Sequence, residues 1–98
     1  MYQMDQLLNL LTAEKARELQ FRAGSPPIII SEQERYLLQG PPIDGQELVN
    51  LLRCLANSRQ MRDLRESGAV QFVYTAPGRS PFVVRANLEG GGVVFVVS

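Results

Sequence analysis

The side chains of this 98-residue chain that stand out for chemistry are arginines, one cysteine and a few scattered carboxylates. The densest cationic stretch contains four arginines, which are Arg53, Arg59, Arg62 and Arg65. Asp63 and Glu66 lie among them and dilute the positive charge. Such a stretch forms either a solvated helix face or a contact for an anion or a protein partner, and the sequence leaves both interpretations open. We treat the four arginines as candidate partner-binding residues.

The rest of the chain contains few residues that could carry out catalysis or bind a metal ion. There is no histidine, which removes the commonest general base and the commonest metal ligand. Cys54 has no such base, so it is interpreted as a packed or partly exposed thiol. The motif GxxxxGK[ST] is absent, and Gly90-Gly91-Gly92 predicts a hairpin turn because no lysine follows it. We therefore predict no catalytic residue, no metal site, no cofactor and no enzymatic activity for this chain.

Composition and charge restrict the class of protein. The chain has 10 Lys+Arg and 10 Asp+Glu, so its net charge of zero provides no general attraction for nucleic acids or anionic lipids. No apolar run approaches the roughly 20 residues that span a bilayer, and the first residues lack the features of a signal peptide. A single cysteine fits a reducing compartment. We predict one cytoplasmic domain over residues 1–98 that does not insert into a membrane.

The segment 16–30 determines how the other elements must be arranged. Leu19 and Phe21 alternate with polar residues, which predicts a strand with one buried face. Gly24 and the Pro26-Pro27 pair then turn the chain, since glycine permits a positive φ and proline disfavours helix. The β-branched run Ile28–Ile30 predicts a second, buried strand.

Hydrophobic periodicity and turn residues predict the remaining elements. Asp44 and Glu47 form a predicted capping box at the start of the second helix, and Ser58 is the predicted cap of the third. The hydrophobic strand Val93–Val97 is expected to be central or paired. The predicted helices are 4–16, 44–56 and 58–66, and the predicted strands are 17–23, 27–31, 34–39, 69–75, 81–88 and 93–97. This order, α-β-β-β-α-α-β-β-β, predicts an α+β fold with a mainly antiparallel sheet and helices packed on one face.

Three segments of the chain resemble motifs of a known family. Lys15–Pro27 resembles the motif GASDLHLSAGxPP, and Gly40–Ile43 resembles a GPPL connector that leads into a leucine-rich helix. Ser58–Asn87 is similar to EQRxxFEExGELDFSFxxPGxxRFRVN. In this order the segments resemble the N-terminal, PAS-like domain of the PilT-type ATPases. These are hexameric motors of type IV pilus retraction, related to the type II secretion ATPases. The resemblance covers nearly the whole chain and implies a PAS-like fold.

The departures from the family pattern concern nucleotide chemistry. The family's ATPase core, with its Walker motifs, follows this domain, and the chain given stops at Ser98. In the family, arginines of the pattern RFRVNxFxQRGG reach nucleotide, whereas the matching positions hold Val83, Leu88 and Gly90. Since apolar side chains cannot stabilise phosphate charge, the resemblance implies that this chemistry is lost. Arg85 is expected to point to the opposite face of its strand.

These observations lead to three hypotheses about function. The first is a non-catalytic protein-interaction or regulatory module related to the twitching-motility ATPases. It would bind the motor, a sister subunit or a regulator through sheet edges or helix surfaces, with a homo-oligomer among the options. The second is the excised N-terminal domain of a complete PilT-like motor. The third is a PAS-like sensor that binds a small ligand between sheet and helices.

Overall fold

The computed structural model describes residues 2–98, which form three helices and six strands. The helices are α1 (Met4–Ala13), α2 (Gly45–Arg53) and α3 (Ser58–Ser67), and the strands are β1 (Glu18–Arg22), β2 (Ile28–Ile30), β3 (Arg35–Leu37), β4 (Ala69–Tyr74), β5 (Phe82–Glu89) and β6 (Gly92–Val97). The predicted α+β class and the predicted order of elements are confirmed. None of the helices within residues 2–98 is both long and apolar enough to cross a bilayer.

The six strands form a single antiparallel sheet in the order β3-β2-β1-β6-β5-β4. Two meanders, β1-β2-β3 and β4-β5-β6, meet where β1 pairs with β6, with Leu19 opposite Val97 and Phe21 opposite Phe95. The prediction that the last strand is central or paired is therefore confirmed. Gly90 and Gly91 adopt positive φ angles of 56° and 82° between β5 and β6, which confirms the predicted hairpin turn.

The hydrophobic core lies between the three helices and one face of the sheet. Alternate strand residues such as Leu19 and Val84 point into it and are fully buried. At its centre the rings of Phe21 and Phe95 stack, with centroids 4.4 Å apart and planes inclined by 13°. Buried leucines of the helices complete the same cluster, among them Leu7, Leu8, Leu11, Leu48, Leu51, Leu52 and Leu64. The sheet thus carries its helices on one side, as the sequence predicts.

The N-terminal cap of α2 corrects one prediction. Asp44 Oδ1 accepts a hydrogen bond from the Glu47 backbone N–H at 2.8 Å, as predicted. The Glu47 carboxylate, however, does not reach back to the cap residue. It accepts a hydrogen bond from the backbone N–H of Tyr2 at 3.2 Å, so a long-range contact replaces the second half of the capping box. The helix is therefore tied to the N-terminal segment of the chain.

The cap of α3 is Asn57, not the predicted Ser58. Asn57 Oδ1 accepts the Gln60 N–H at 2.8 Å, and Gln60 Oε1 accepts the Asn57 N–H at 2.9 Å. This reciprocal pair requires a hydrogen-bonding side chain three residues after the cap. The residue at that distance from Ser58 is Met61, which offers only a weak thioether acceptor, so the cap lies one residue earlier than predicted.

Replacement of the α3 cap should lower stability measurably. We expect Asn57→Ala to reduce the free energy of unfolding by about 1 kcal/mol, because the backbone N–H of Gln60 loses its partner. Urea unfolding followed by circular dichroism measures the change. Ser58→Ala is the matched control, since this exposed side chain caps nothing, and an equal loss in both variants would contradict the assignment of the cap.

The N-terminal segment is anchored to the connector between β3 and α2. Tyr2 Oη donates a hydrogen bond to the Pro41 carbonyl at 2.6 Å. Burial and the nearby Glu47 carboxylate raise the pKa of the Tyr2 phenol above its usual range. Gly40, beside the ring, has a φ of 147°, a conformation that side-chain-bearing residues rarely adopt. The connector and the first residues of the chain therefore depend on each other for their positions.

Candidate interaction surface

The face of the sheet opposite the core, which we call the open face, is free of helix within residues 2–98. The core cluster takes its strand residues from the other face only, as the register of the six strands shows. Six large apolar side chains on the open face are at least partly exposed, namely Ile30, Leu37, Val73, Val83, Val94 and Val96, whereas Ile28 on the same face is buried. Leu37 is 57% exposed and Val73 62%, and the other four are half-buried. They alternate with polar residues of the same face, such as Gln20 and Arg85, and exposed apolar side chains of this kind are available for a protein contact.

An ion pair lies near the middle of the open face. Arg85 of β5 approaches Glu18 of β1 across β6, with 3.6 Å between Nη2 and Oε2. Both side chains are partly exposed, so the pair contributes at most about 1 kcal/mol to stability. Its main effect is on position, because it holds the Arg85 guanidinium over the sheet beside Val96.

The expectation for Arg85 needs a correction. Side chains alternate between faces along a strand, so Arg85 shares the open face with Val83. Of the two β5 positions Val83 and Leu88, only Leu88 has its side chain on the other face of the sheet, which carries the helices. Of the two β5 positions where the family pattern has arginines, one is therefore on the same face as Arg85. The hypothesis that the phosphate-sensing arginines are lost stays a prediction from the resemblance.

The four candidate arginines lie on the helical side of the molecule and are all exposed. Two of them, Arg53 and Arg65, line a groove of about 500 Å³ between α2 and α3, together with Ala56 and Met61. Arg59 and Arg62 project from α3 outside this groove. The structure thus brings two of the four together. Their role in partner binding stays a prediction.

A ligand cavity between sheet and helices is not evident in residues 2–98. The space between them is occupied by side chains that are almost completely buried, such as Leu8, Ile43 and Phe95. The depressions on the molecule lie instead at surface loops, for example at Ser31–Glu34 and at Thr75–Ser80. These sites offer no enclosed volume for a metabolite, so the small-ligand sensor gains no support from the fold.

The chain is similar in sequence and in fold to parts of known ATPases. No protein-family model matches the chain. The type IV pilus retraction ATPase PilT of Pseudomonas aeruginosa is 28% identical over 92 residues, which covers 92% of this chain and 27% of that protein. The chain therefore spans about a quarter of the length of this curated relative.

Solved structures agree with the sequence comparison. The crystal structure of the pilus retraction motor PilT with bound ADP superposes with a TM-score of 0.88 at 17% identity, over 99% of this chain and 29% of that one. The ATPase DotB of Legionella pneumophila gives 0.76 at 17% identity, over 96% and 28% of the two chains. DotB of Yersinia pseudotuberculosis gives 0.67 with the same identity and coverage. The resemblance to PilT-type ATPases that the sequence predicts is confirmed, and this chain is related to about a quarter of such an ATPase.

Proposed function

We propose that this chain is a non-catalytic protein-interaction module that binds a PilT-type pilus or secretion ATPase through its open face. The observation that carries the proposal is the uncovered sheet face, on which Leu37 and Val73 are more than half exposed. Burial of apolar surface at about 25 cal/mol per Å² is the main source of affinity at such contacts. The relationship to PilT identifies the kind of assembly in which the partner is to be sought.

The side chains of the chain support a non-catalytic role. The resemblance implies arginines at three positions that hold Val83, Leu88 and Gly90, none of which can stabilise phosphate charge. Arg85, which shares the open face with Val83, is paired with Glu18. A direct check is ATP hydrolysis by the purified 98-residue chain with Mg²⁺. Phosphate release above the background of buffer would overturn the proposal.

Binding should be measured with the purified PilT-type ATPase of the same organism, immobilised on a biosensor. We expect Val83→Lys to weaken binding at least tenfold, because an ammonium group would be buried in the middle of an apolar contact. Val49→Lys is the matched control, since it makes the same change at a half-buried valine of α2, away from the open face. Equal affinities of the Val83→Lys variant and the unaltered chain would exclude the open face as the docking surface.

The groove between α2 and α3, lined by Arg53 and Arg65, is the alternative docking surface, and the same experiment can test it. If the double variant Arg53→Ala/Arg65→Ala loses binding while Val83→Lys keeps it, the partner docks on the helical side. That result would keep the interaction module and contradict the choice of surface. The two variants alter opposite sides of the molecule, so each tests one surface only.

A second candidate function is the N-terminal domain of a complete PilT-like motor. It is favoured by the coverage of the curated relative, of which the chain spans 27%. The genomic reading frame decides between the two. A continuation beyond the codon of Ser98 into GxxxxGK[ST] would assign the chain to a full ATPase.

A further inference from the structure

The two edges of the sheet differ in how well they are protected against pairing. The β3 edge is three residues long, contains Arg35 and is soon followed by Pro41 and Pro42. The β4 edge is six residues long, with the sequence AVQFVY, and contains neither a charge nor a proline. Proteins commonly protect exposed edges with charges, prolines or short length. β4 has none of these features and is thus a ready template for another strand.

The hydrogen-bond pattern identifies which backbone groups are free at this edge. Leu88 N–H donates to the Gly68 carbonyl at 2.9 Å, which fixes the alternation between β4 and β5. By this alternation the backbone groups of Val70, Phe72 and Tyr74 point toward β5. The backbone N–H and C=O groups of Ala69, Gln71 and Val73 point away from the sheet. These residues therefore present unpaired donors and acceptors along the edge.

We propose that β4 pairs with β4 of a second copy of this chain, antiparallel and about a two-fold axis at Gln71. This inference rests on the proposed interaction function and names one partner of the module. The pairing joins the two six-stranded sheets into one continuous sheet. It also satisfies the outward backbone groups of Ala69, Gln71 and Val73 in both copies.

The side chains of β4 are complementary to themselves in this register. Ala69 lies opposite Val73 of the partner, so a small side chain accommodates one that is 62% exposed in the single chain. On the other face Val70 lies opposite Phe72, which extends the apolar layer under the helices. The amides of the two Gln71 side chains meet at the axis, where each donates and accepts. No like charges oppose each other anywhere along the pair.

Proline scanning of the two edges tests the pairing. Val73→Pro removes an N–H that points outward, so the monomer loses no ladder hydrogen bond while pairing is blocked. Sedimentation velocity should give about twice the 10.9 kDa of one chain for the unaltered protein and the monomer mass for this variant. Leu37→Pro is the matched control, because its N–H also points outward but on the β3 edge, and it should leave the dimer intact.

Charges at the axis test the register without any backbone change. Gln71→Lys should make the protein monomeric because two ammonium groups would oppose each other, and Gln71→Glu should do the same through two carboxylates. An equimolar mixture of these two variants should recover the dimer mass, since the charges then attract. Only a pairing in which position 71 faces position 71 predicts this recovery.

The outcomes separate this inference from the proposed function. An unaltered protein that stays at 10.9 kDa at millimolar concentration would overturn the pairing, as would a dimer that survives both Val73→Pro and Gln71→Lys. Binding of the PilT-type ATPase is tested by Val83→Lys on the open face, whereas the pairing is tested by the mass of the unaltered chain in solution. A monomer that still binds the ATPase would therefore contradict the pairing alone.

Discussion

Phe95→Ala is expected to destabilise the protein by about 3–5 kcal/mol, which is a large part of the roughly 5–15 kcal/mol that holds a domain of this size together. Phe95 is 1% exposed and lies at the junction of the two meanders, stacked on Phe21 of the neighbouring strand. Its removal creates a cavity in the core and deprives Phe21 of its aromatic partner. Chemical denaturation monitored by circular dichroism measures the loss.

Two further variants make this result specific. Val96→Ala changes the adjacent residue, whose side chain is on the open face, and should cost much less because it leaves the core intact. Phe95→Leu keeps most of the volume and should recover part of the stability. A loss for Phe95→Ala that is no larger than for Val96→Ala would show that the stacked pair is not the centre of the core.

Gly40→Ala is expected to be the most damaging change in a loop. The φ of 147° is strained for any residue with a side chain, which costs about 1–3 kcal/mol. In addition, the new methyl group would stand 2.6 Å from Tyr2 Oη, so the ring must move away. That movement breaks the hydrogen bond to the Pro41 carbonyl and adds about 1 kcal/mol to the loss. The free energy of unfolding from urea titration gives the sum.

A double-mutant cycle separates the two causes. In a Tyr2→Ala background the ring, its hydroxyl and its hydrogen bond are already absent, so Gly40→Ala should cost less than in the unaltered protein, and the remainder is backbone strain. Gly45→Ala is the matched control, because no atom lies within 4 Å of the added methyl group and the backbone needs no positive φ. If Gly40→Ala were as mild as Gly45→Ala, the anchoring of the N-terminal segment would be refuted.

Local patterns sufficed to predict the elements but not all of their boundaries. Leu19 and Phe21 alternate clearly, so their strand and its buried face follow from the sequence. The end of α1 does not, because the chain leaves the helix through a positive φ of 52° at Lys15, a residue that gives no turn signal. The helix consequently ends at Ala13, three residues before its predicted limit. A helix that ends at a residue without turn preference gives no signal of its end in the sequence.

Contacts between distant residues were the part that sequence patterns could not supply. The capping box predicted at Asp44 is half formed because Glu47 accepts a hydrogen bond from Tyr2 instead, 45 positions away. The pair of Glu18 and Arg85 likewise depends on β6 lying between their strands. The open face is also hidden in the sequence, since its half-buried valines resemble core residues until the position of the helices is known.

The pairing of β1 with β6 has a consequence for synthesis of the chain on the ribosome. Val97 is translated about eighty residues after its neighbour Leu19, which at 5–20 residues per second is a delay of about 4–16 s. During that time the inner edge of β1 and the ring of Phe21 have no native partner. The nascent polypeptide therefore passes through an interval in which chaperones, or a neighbouring nascent copy, compete with β6 for the same strand.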